Sequence, residues 1–305
     1  EGAPDAVDLY VDDGRGGEYP YQAAYWTCPA VWNRAAADGG TAPEPGVAGV
    51  PSYAYVRVKN RGTSDAAGTV KVYRCPPGAG LTWPTDFVQV GPTAGLPTGP
   101  VLAGNGNEAI VGPFRWTPSA AGSGQDGLLA IVEAGGDPSN VTNLEPGQTI
   151  PEWRLVPHDN NIGRRNVALV PGGGEALAAA LGGAAFFARN PLNRPADMVV
   201  RAEMPGALAD KGWRLQFDGL SDGTFRLTAG GSRELMLRLT TGRDLTPADV
   251  RDPADRDLTI SLYADGLLLG GMTYRIDPGV NGSAGTDRGI EQPPAVAGAT
   301  QSDDP

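Results

Sequence analysis

At 305 residues, with 40% apolar and 19% charged side chains, the chain can form two domains with buried cores, which excludes a disordered polymer. Its 24 Lys and Arg face 35 Asp and Glu, and the resulting charge of −11 argues against phosphate backbones and anionic lipid as partners. No run approaches the roughly 18 consecutive apolar residues of a membrane span, and 45 Gly and 28 Pro scattered between short apolar runs point to many turns.

The opening residues, EGAPDA, lack a Met, a basic region and an apolar region, and read as a processed or cut terminus. Residues 7–11 (VDLYV) alternate as an edge strand, and 12–18 form a turn rich in carboxylates. Tyr19, Tyr21, Tyr25, Trp26 and Trp32 then gather around Cys28. Residues 52–60 (SYAYVRVKN) are the cleanest strand, with Tyr53, Tyr55 and Arg57 on one face and Ala54, Val56 and Val58 on the other. Residues 69–75 (TVKVYRC) alternate as well, and the two strands are expected to pair antiparallel. Residues 76–84 form a loop holding Trp83, and 86–90 a short strand. The strand at 108–116 is broken by Gly112-Pro113, which implies an edge or a bulge. Residues 127–134 (GLLAIVEA) are apolar throughout and read as a central strand buried on both faces. About seven or eight short strands without a strong helix are the signature of a β-sandwich.

The stretch from His158 to Val170 holds the single histidine among Asp159, Asn160, Asn161, Arg164, Arg165 and Asn166 before running into an apolar strand. Beyond it, 175–181 (EALAAAL) can make at most about two helical turns. Strand-like runs follow at 184–189, 198–204, 213–217, 224–228, 233–240, 257–264 and 267–276. Leu235, Leu237 and Leu239 share an inward face, as do Leu258, Ile260 and Leu262, and Asp265-Gly266 has the chemistry of a type I′ hairpin turn. Residues 279–305 are small and polar and read as a flexible tail or linker.

The hairpin-like YVRVKNRGTSDAAGTVKVY resembles bacterial CARDB-type immunoglobulin-like modules, and FFARNPLNRPADMVVRAEMPG with FRLTAGGSRELMLRLT resembles related immunoglobulin-like modules of secreted enzymes. In both, an Asn ends a strand. The resemblance covers most of residues 1–278 and implies a sandwich fold in an extracellular or cell-surface setting, with no catalytic residues to carry over. The expected architecture is all-β: two tandem immunoglobulin-like β-sandwiches at 1–165 (with long loops) and 166–278, and a flexible C-terminal tail at 279–305.

Each candidate for chemistry has a structural competitor. His158 beside Asp159 invites a triad, but no strained serine turn is present and adjacent residues of an extended chain point opposite ways. His158, Asn160, Asn161, Arg164, Arg165 and Asn166 are therefore expected to form an interdomain joint in which amides and guanidinium groups satisfy loop backbone. Asp8, Asp12, Asp13 and Glu18 carry the oxygens that Ca2+ takes, yet their spacing is not that of an EF-hand, and a solvated acidic turn is the stronger expectation. Cys28 and Cys75 are expected to form a disulfide closing about 47 residues and contributing roughly 4 kcal/mol, with two free buried thiols as the alternative. Tyr21, Tyr25, Trp26 and Trp83 could offer an aromatic surface for sugars, against core packing as the commoner role.

The function expected from these residues is a non-enzymatic, extracellular structural or protein-interaction module of a bacterial surface or secreted assembly. Protein partners or self-association would act through exposed strand edges, with no nucleic acid, no membrane span and no obligatory cofactor. The alternative is a carbohydrate-binding accessory module of a secreted hydrolase.

Overall fold

The computed structural model describes residues 3–121, 124–243, 245–246, 248–252 and 255–277. The tail expected at 279–305 lies outside the described residues. Strands dominate and helices are short, as the dispersed turn residues and short alternating runs require. Among the described residues no helix is long and apolar enough to cross a membrane.

The first half contributes β1 (Leu9–Val11), β2 (Val31–Arg34), β3 (Ser52–Asn60), β4 (Ala66–Cys75), β5 (Gly78–Ala79), β6 (Thr82–Trp83), β7 (Val88–Val90), β8 (Leu96–Val101), β9 (Ala109–Trp116), β10 (Gly127–Ala134), β11 (Ile150–Pro151), the turn of helix α1 (Glu152–Leu155) and β12 (Ile162–Arg165). One sheet is built on β3, which pairs with β1, β2 and β9. A second runs β12-β10-β4, with β7 and β8 both on β4. Their facing sides share one apolar cluster: Ala54, Val56 and Val58 pack with Val70, Val72, Leu128, Ala130 and Val132. The alternation in β3 therefore places its side chains as expected. The other face of β10 presents Leu129 and Ile131 to a separate cluster holding Leu81, Trp83, Phe87, Leu155 and Val156, so β10 is buried on both sides. The bulge expected at Gly112-Pro113 is present: the register of β9 against β3 shifts between Ala54 and Val56.

Two expectations are corrected in this half. β3 and β4 do not pair; they belong to different sheets. Alternation told which face each strand buries, but not which strand lies beside it. Asn60 shapes the crossing between them. Fully buried, it donates from Nδ2 to the carbonyls of Ser64 (2.9 Å) and Val101 (3.1 Å) and accepts the Gly62 N–H at Oδ1 (2.9 Å).

The Cys28–Cys75 disulfide is also absent, and both cysteines are free and buried. Along β4, Val70 and Val72 face the core between the sheets, while Cys75 shares the opposite face with Tyr73. Cys28 lies on the inner side, where its Sγ would stand 3.0 Å from a Cβ placed on Gly163 of β12. The sheet β12-β10-β4 separates the two thiols.

The second half holds β13 (Val167–Pro171), helix α2 (Gly174–Leu181), β14 (Ala185–Arg189), β15 (Ala196–Glu203), β16 (Arg214–Phe217), β17 (Thr224–Leu227), β18 (Ser232–Thr240), β19 (Asp257–Ala264) and β20 (Leu267–Asp277). One sheet runs β13-β20-β19-β15-β17, with β13 parallel to β20. The other runs β16-β18-β14-β5. Leu235, Leu237, Leu258, Ile260 and Leu262 meet Phe186, Met198, Leu177 and Trp213 in one core, while Leu239 is only partly buried. Asp265 and Gly266 both take positive φ (48° and 84°), giving the type I′ turn. Asn190 repeats the geometry of Asn60: it donates to the Arg194 carbonyl (2.9 Å) and accepts the Leu192 N–H (3.1 Å).

Candidate functional site

The chain passes from β12 to β13 through a single residue, Asn166, and a cluster of buried polar side chains surrounds that passage. Asn166 is 1% exposed. Its Nδ2 donates to the carbonyls of Gly78 (2.8 Å) and Gly271 (2.7 Å), its N–H donates to the Trp26 carbonyl (2.8 Å), and its carbonyl accepts the Thr273 N–H (2.9 Å). One asparagine thus ties two segments of the first half to β20 of the second.

Three further features cross the seam. Gly78 and Ala79 form β5, a two-residue strand from the first half that lies parallel to β14 and completes the second half's sheet; the Phe187 N–H donates to the Pro77 carbonyl (2.8 Å). A Cβ on Gly78 would stand 2.0 Å from the Phe187 carbonyl oxygen, so only glycine permits this approach. Ala79 joins the second half's core. Tyr25 Oη donates to the Leu269 carbonyl (2.8 Å), and Trp26 Nε1 donates to Thr273 Oγ1 (3.2 Å). These rings lie against Gly270 and Gly271: a Cβ there would come within 2.6 Å of Tyr25 Oη and 2.4 Å of Trp26 Cζ2.

Beneath them, Arg164 and Glu152 form an ion pair (3.2 Å) with side chains 0% and 2% exposed. Arg164 Nη1 also donates to the carbonyl of Arg165 (2.9 Å), and Glu152 Oε1 accepts the Leu81 N–H (3.3 Å). Burial pushes the Glu152 carboxyl above its ordinary value, with Arg164 opposing the shift. Burial pushes the nearby Cys75 thiol up to about 12, and it raises Tyr25 well above its ordinary value. A thiol that resists ionisation in a sealed pocket is a poor nucleophile. Arg165 lies on the other face of β12, where Nη1 donates to the Cys28 carbonyl (3.4 Å); burial, aided by Arg275, lowers its guanidinium to about 10.

The hydrogen bonds of the other residues expected at the joint stay within the first half. Asn160 donates to Asp8 Oδ1 (2.7 Å) and the Gly17 carbonyl, and accepts from Tyr19 Oη (3.1 Å). Asn161 donates to the Leu9 carbonyl (3.0 Å) and Asp137 Oδ2 (3.1 Å). Asp159 is buried and accepts from Ser139 Oγ (2.8 Å) and the N–H groups of Asn140 (2.7 Å) and Asn161 (3.0 Å). His158 is exposed, and the Asp159 carboxylate has other partners. Arg164, Arg165 and Asn166 lie where the halves meet, and of them Asn166 makes the hydrogen bonds that cross.

Each carboxylate of the acidic turn has a cation: Asp8 pairs with Arg61 (2.6 Å), Asp12 with Lys59 (2.9 Å), Asp13 with Arg15 (2.7 Å) and Glu18 with Arg61 (3.5 Å). Among the described residues no three His, Cys, Asp or Glu side chains come together as metal ligands. The aromatic surface is corrected for three of its four members, because Tyr25, Trp26 and Trp83 are 3%, 2% and 9% exposed while Tyr21 is 87% exposed. Sequence reasoning missed Glu152, Gly78 and Gly271. The Gly270-Gly271 pair inside an apolar strand was the available signal, since glycine in a strand marks a close approach.

No family model and no curated protein matches the chain. Among solved structures it is similar to red sea bream transglutaminase, at 12% identity and a TM-score of 0.20, over 77% of this chain and 30% of that one, so it spans under a third of that protein's length. It is also similar to the CupB6 tip adhesin from Pseudomonas aeruginosa, at 10% identity and a TM-score of 0.19, over 89% of this chain and 99% of that one. Overlaps at this level carry no functional argument.

Proposed function

We propose that the chain is a non-enzymatic structural or protein-interaction module of an extracellular assembly, built as two immunoglobulin-like sandwiches in tandem at about 1–165 and 166–278. The observation that carries this reading is the use made of the buried polar groups. Asn166, Arg164 and Glu152 are hydrogen-bonded across or beneath the seam, with only Asn166 Oδ1 and Arg164 Nη2 left unpaired among their buried polar atoms, and Gly78–Ala79 is shared as a strand, so most of the polar cluster that most resembles a site serves to join the halves. A strut that transmits position or load needs such a joint. The resemblance of residues 52–73 to CARDB-type modules supports the extracellular setting, whereas the unpaired Cys28 and Cys75 withdraw any redox argument for it.

Contacts to partners would form at open sheet edges. β16 and β17 each end a sheet, and a strand edge offers unpaired N–H and C=O groups for addition of another strand. Light scattering and negative-stain microscopy of the full chain across a wide concentration range test the self-association form of this reading. Particle size is expected to grow with concentration, and a monomer throughout would overturn it.

A further inference from the structure

A cleft of about 620 Å³ opens where the Tyr19–Gln22 segment and the Trp153–His158 segment of the first half face the β19–β20 hairpin of the second. That volume lies within the range of small-ligand sites, about 300–1,000 Å³. Tyr19, Tyr21, Trp153 and Tyr263 line it, and Tyr21 and Tyr19 are 87% and 45% exposed. Two exposed aromatic rings gathered at one concavity form the sort of contiguous apolar surface that marks a binding site. Arg154 lies 5.8 Å from the Trp153 ring centroid and Arg201 lies 5.2 Å from that of Tyr263, contacts that help hold these two rings in place.

The polar groups of the cleft narrow the ligand class. No carboxylate lines it, and its two basic side chains are the exposed His158 and Arg15, whose guanidinium is committed to Asp13 and to the carbonyls of Pro20 and Pro157. Two lining groups are buried without a hydrogen-bond partner: the donor Trp153 Nε1 and the acceptor Gln22 Oε1. The amide of Gln22 is oriented by the bond from its Nε2 to the Asp13 carbonyl (3.1 Å). Eight buried side-chain atoms among the described residues lack a hydrogen-bond partner, and these two belong to residues that line the cleft. Neither atom is open to solvent, and engaging them would require the Tyr19–Gln22 segment, which has no regular secondary structure, to shift.

We infer that this cleft is a binding site for a neutral oligosaccharide, whose rings stack on Tyr21 and its aromatic neighbours while hydroxyls engage Trp153 Nε1 and Gln22 Oε1. A hydroxyl can donate to one and accept from the other, and a pyranose ring presents an apolar face together with its hydroxyl groups. A proline-rich peptide would also suit the aromatic walls, but its prolines lack the N–H that Gln22 Oε1 would accept, whereas every sugar hydroxyl can donate. The inference is independent of strand-edge assembly, because the cleft residues belong to neither β16 nor β17.

The test is to apply the full chain to an array of neutral, sialylated and sulfated oligosaccharides and of proline-rich peptides, then to titrate the strongest neutral hit by calorimetry. Tyr21→Ala and Trp153→Phe, the latter keeping a ring while deleting Nε1–H, are each expected to weaken binding about tenfold. Val88→Ala, which trims a side chain 53% exposed elsewhere on the first half, is expected to leave it unchanged. Tyr21 is exposed enough that its removal should not disturb folding, which circular dichroism verifies. Absence of sugar binding, binding of peptides or charged glycans in place of neutral ones, or a neutral hit unmoved by both cleft substitutions would each overturn the inference.

Discussion

His158–Asn161 and Arg164–Asn166 are separated by two residues and look alike in composition, yet they hold different things together. The earlier group binds the first half to itself: Asn160 and Asn161 reach Asp8 and Leu9 at the start of the chain and Asp137 in a loop. In the later group Asn166 reaches across to β20 and to the donated strand β5, while the hydrogen bonds of Arg164 and Arg165 stay in the first half beneath it. Ile162 and Gly163 between them belong to β12, whose pairing with β10 fixes which face each neighbour takes. The difference shows that a run of polar side chains acquires its role from the sheet on either side of it, not from its own composition.

The largest loss of stability is expected at the buried ion pair. Arg164→Met strips Glu152 of its partner and is expected to cost about 3–5 kcal/mol in chemical denaturation, whereas Arg164→Met combined with Glu152→Leu should recover most of that loss. A loss below about 1 kcal/mol for the single change would mean that the pair does not hold the structure beneath the seam.

Asn166→Ala is expected to cost about 2–3 kcal/mol, because the carbonyls of Gly78 and Gly271 lose their donor. Amide exchange separates it from Asn161→Ala. The first variant should accelerate exchange at Phe187, whose N–H meets the donated strand, and the second at Leu9, whose N–H donates to Asp137 (2.6 Å). Equal acceleration at both amides in both variants would erase the distinction drawn between the two groups.

The smallest expected effect is one of pH. Burial, reinforced by Asp8 and Asp159, raises the Asp137 carboxyl to about 6, so the folded chain holds this proton more tightly than the unfolded chain. The stabilisation is then complete at pH values below the ordinary carboxylate range and declines as pH rises through about 6. Asp137→Asn removes the titration, and its melting temperature should fall less than that of the parent between pH 4 and pH 7, roughly the span of the shift. Parallel pH curves would rule Asp137 out as the source.

Much of the fold was legible where periodicity is strong. β3, β10, the leucine faces of β18 and β19 and the Asp265-Gly266 turn all follow from alternation or turn chemistry over a few residues. What stayed hidden depends on partners far away in sequence. Gly271 makes room for Trp26, and Tyr25 bonds to Leu269, contacts that no local pattern announces. A two-residue strand such as Gly78–Ala79 has no period to detect. The disulfide expectation, by contrast, could have been tested by counting: Cys75 falls in step with Lys71 and Tyr73, opposite to Val70 and Val72. The aromatic residues were found by type, but burial divided them, leaving Tyr21 in the open and Trp26 in the seam.

The donated strand has a consequence for how this protein is made and how it can be divided. Gly78–Ala79 is synthesised long before β14, so the first half must hold that segment ready, with one edge unmatched, until the second half emerges. A cut between Arg165 and Asn166, where the strand pattern invites one, would leave the second half without an outer strand and without Ala79 in its core. Expressed alone, that fragment would present the bare edge of β14 to solvent and to other copies of itself. The boundary that divides the sequence most neatly is therefore a poor place to divide the molecule.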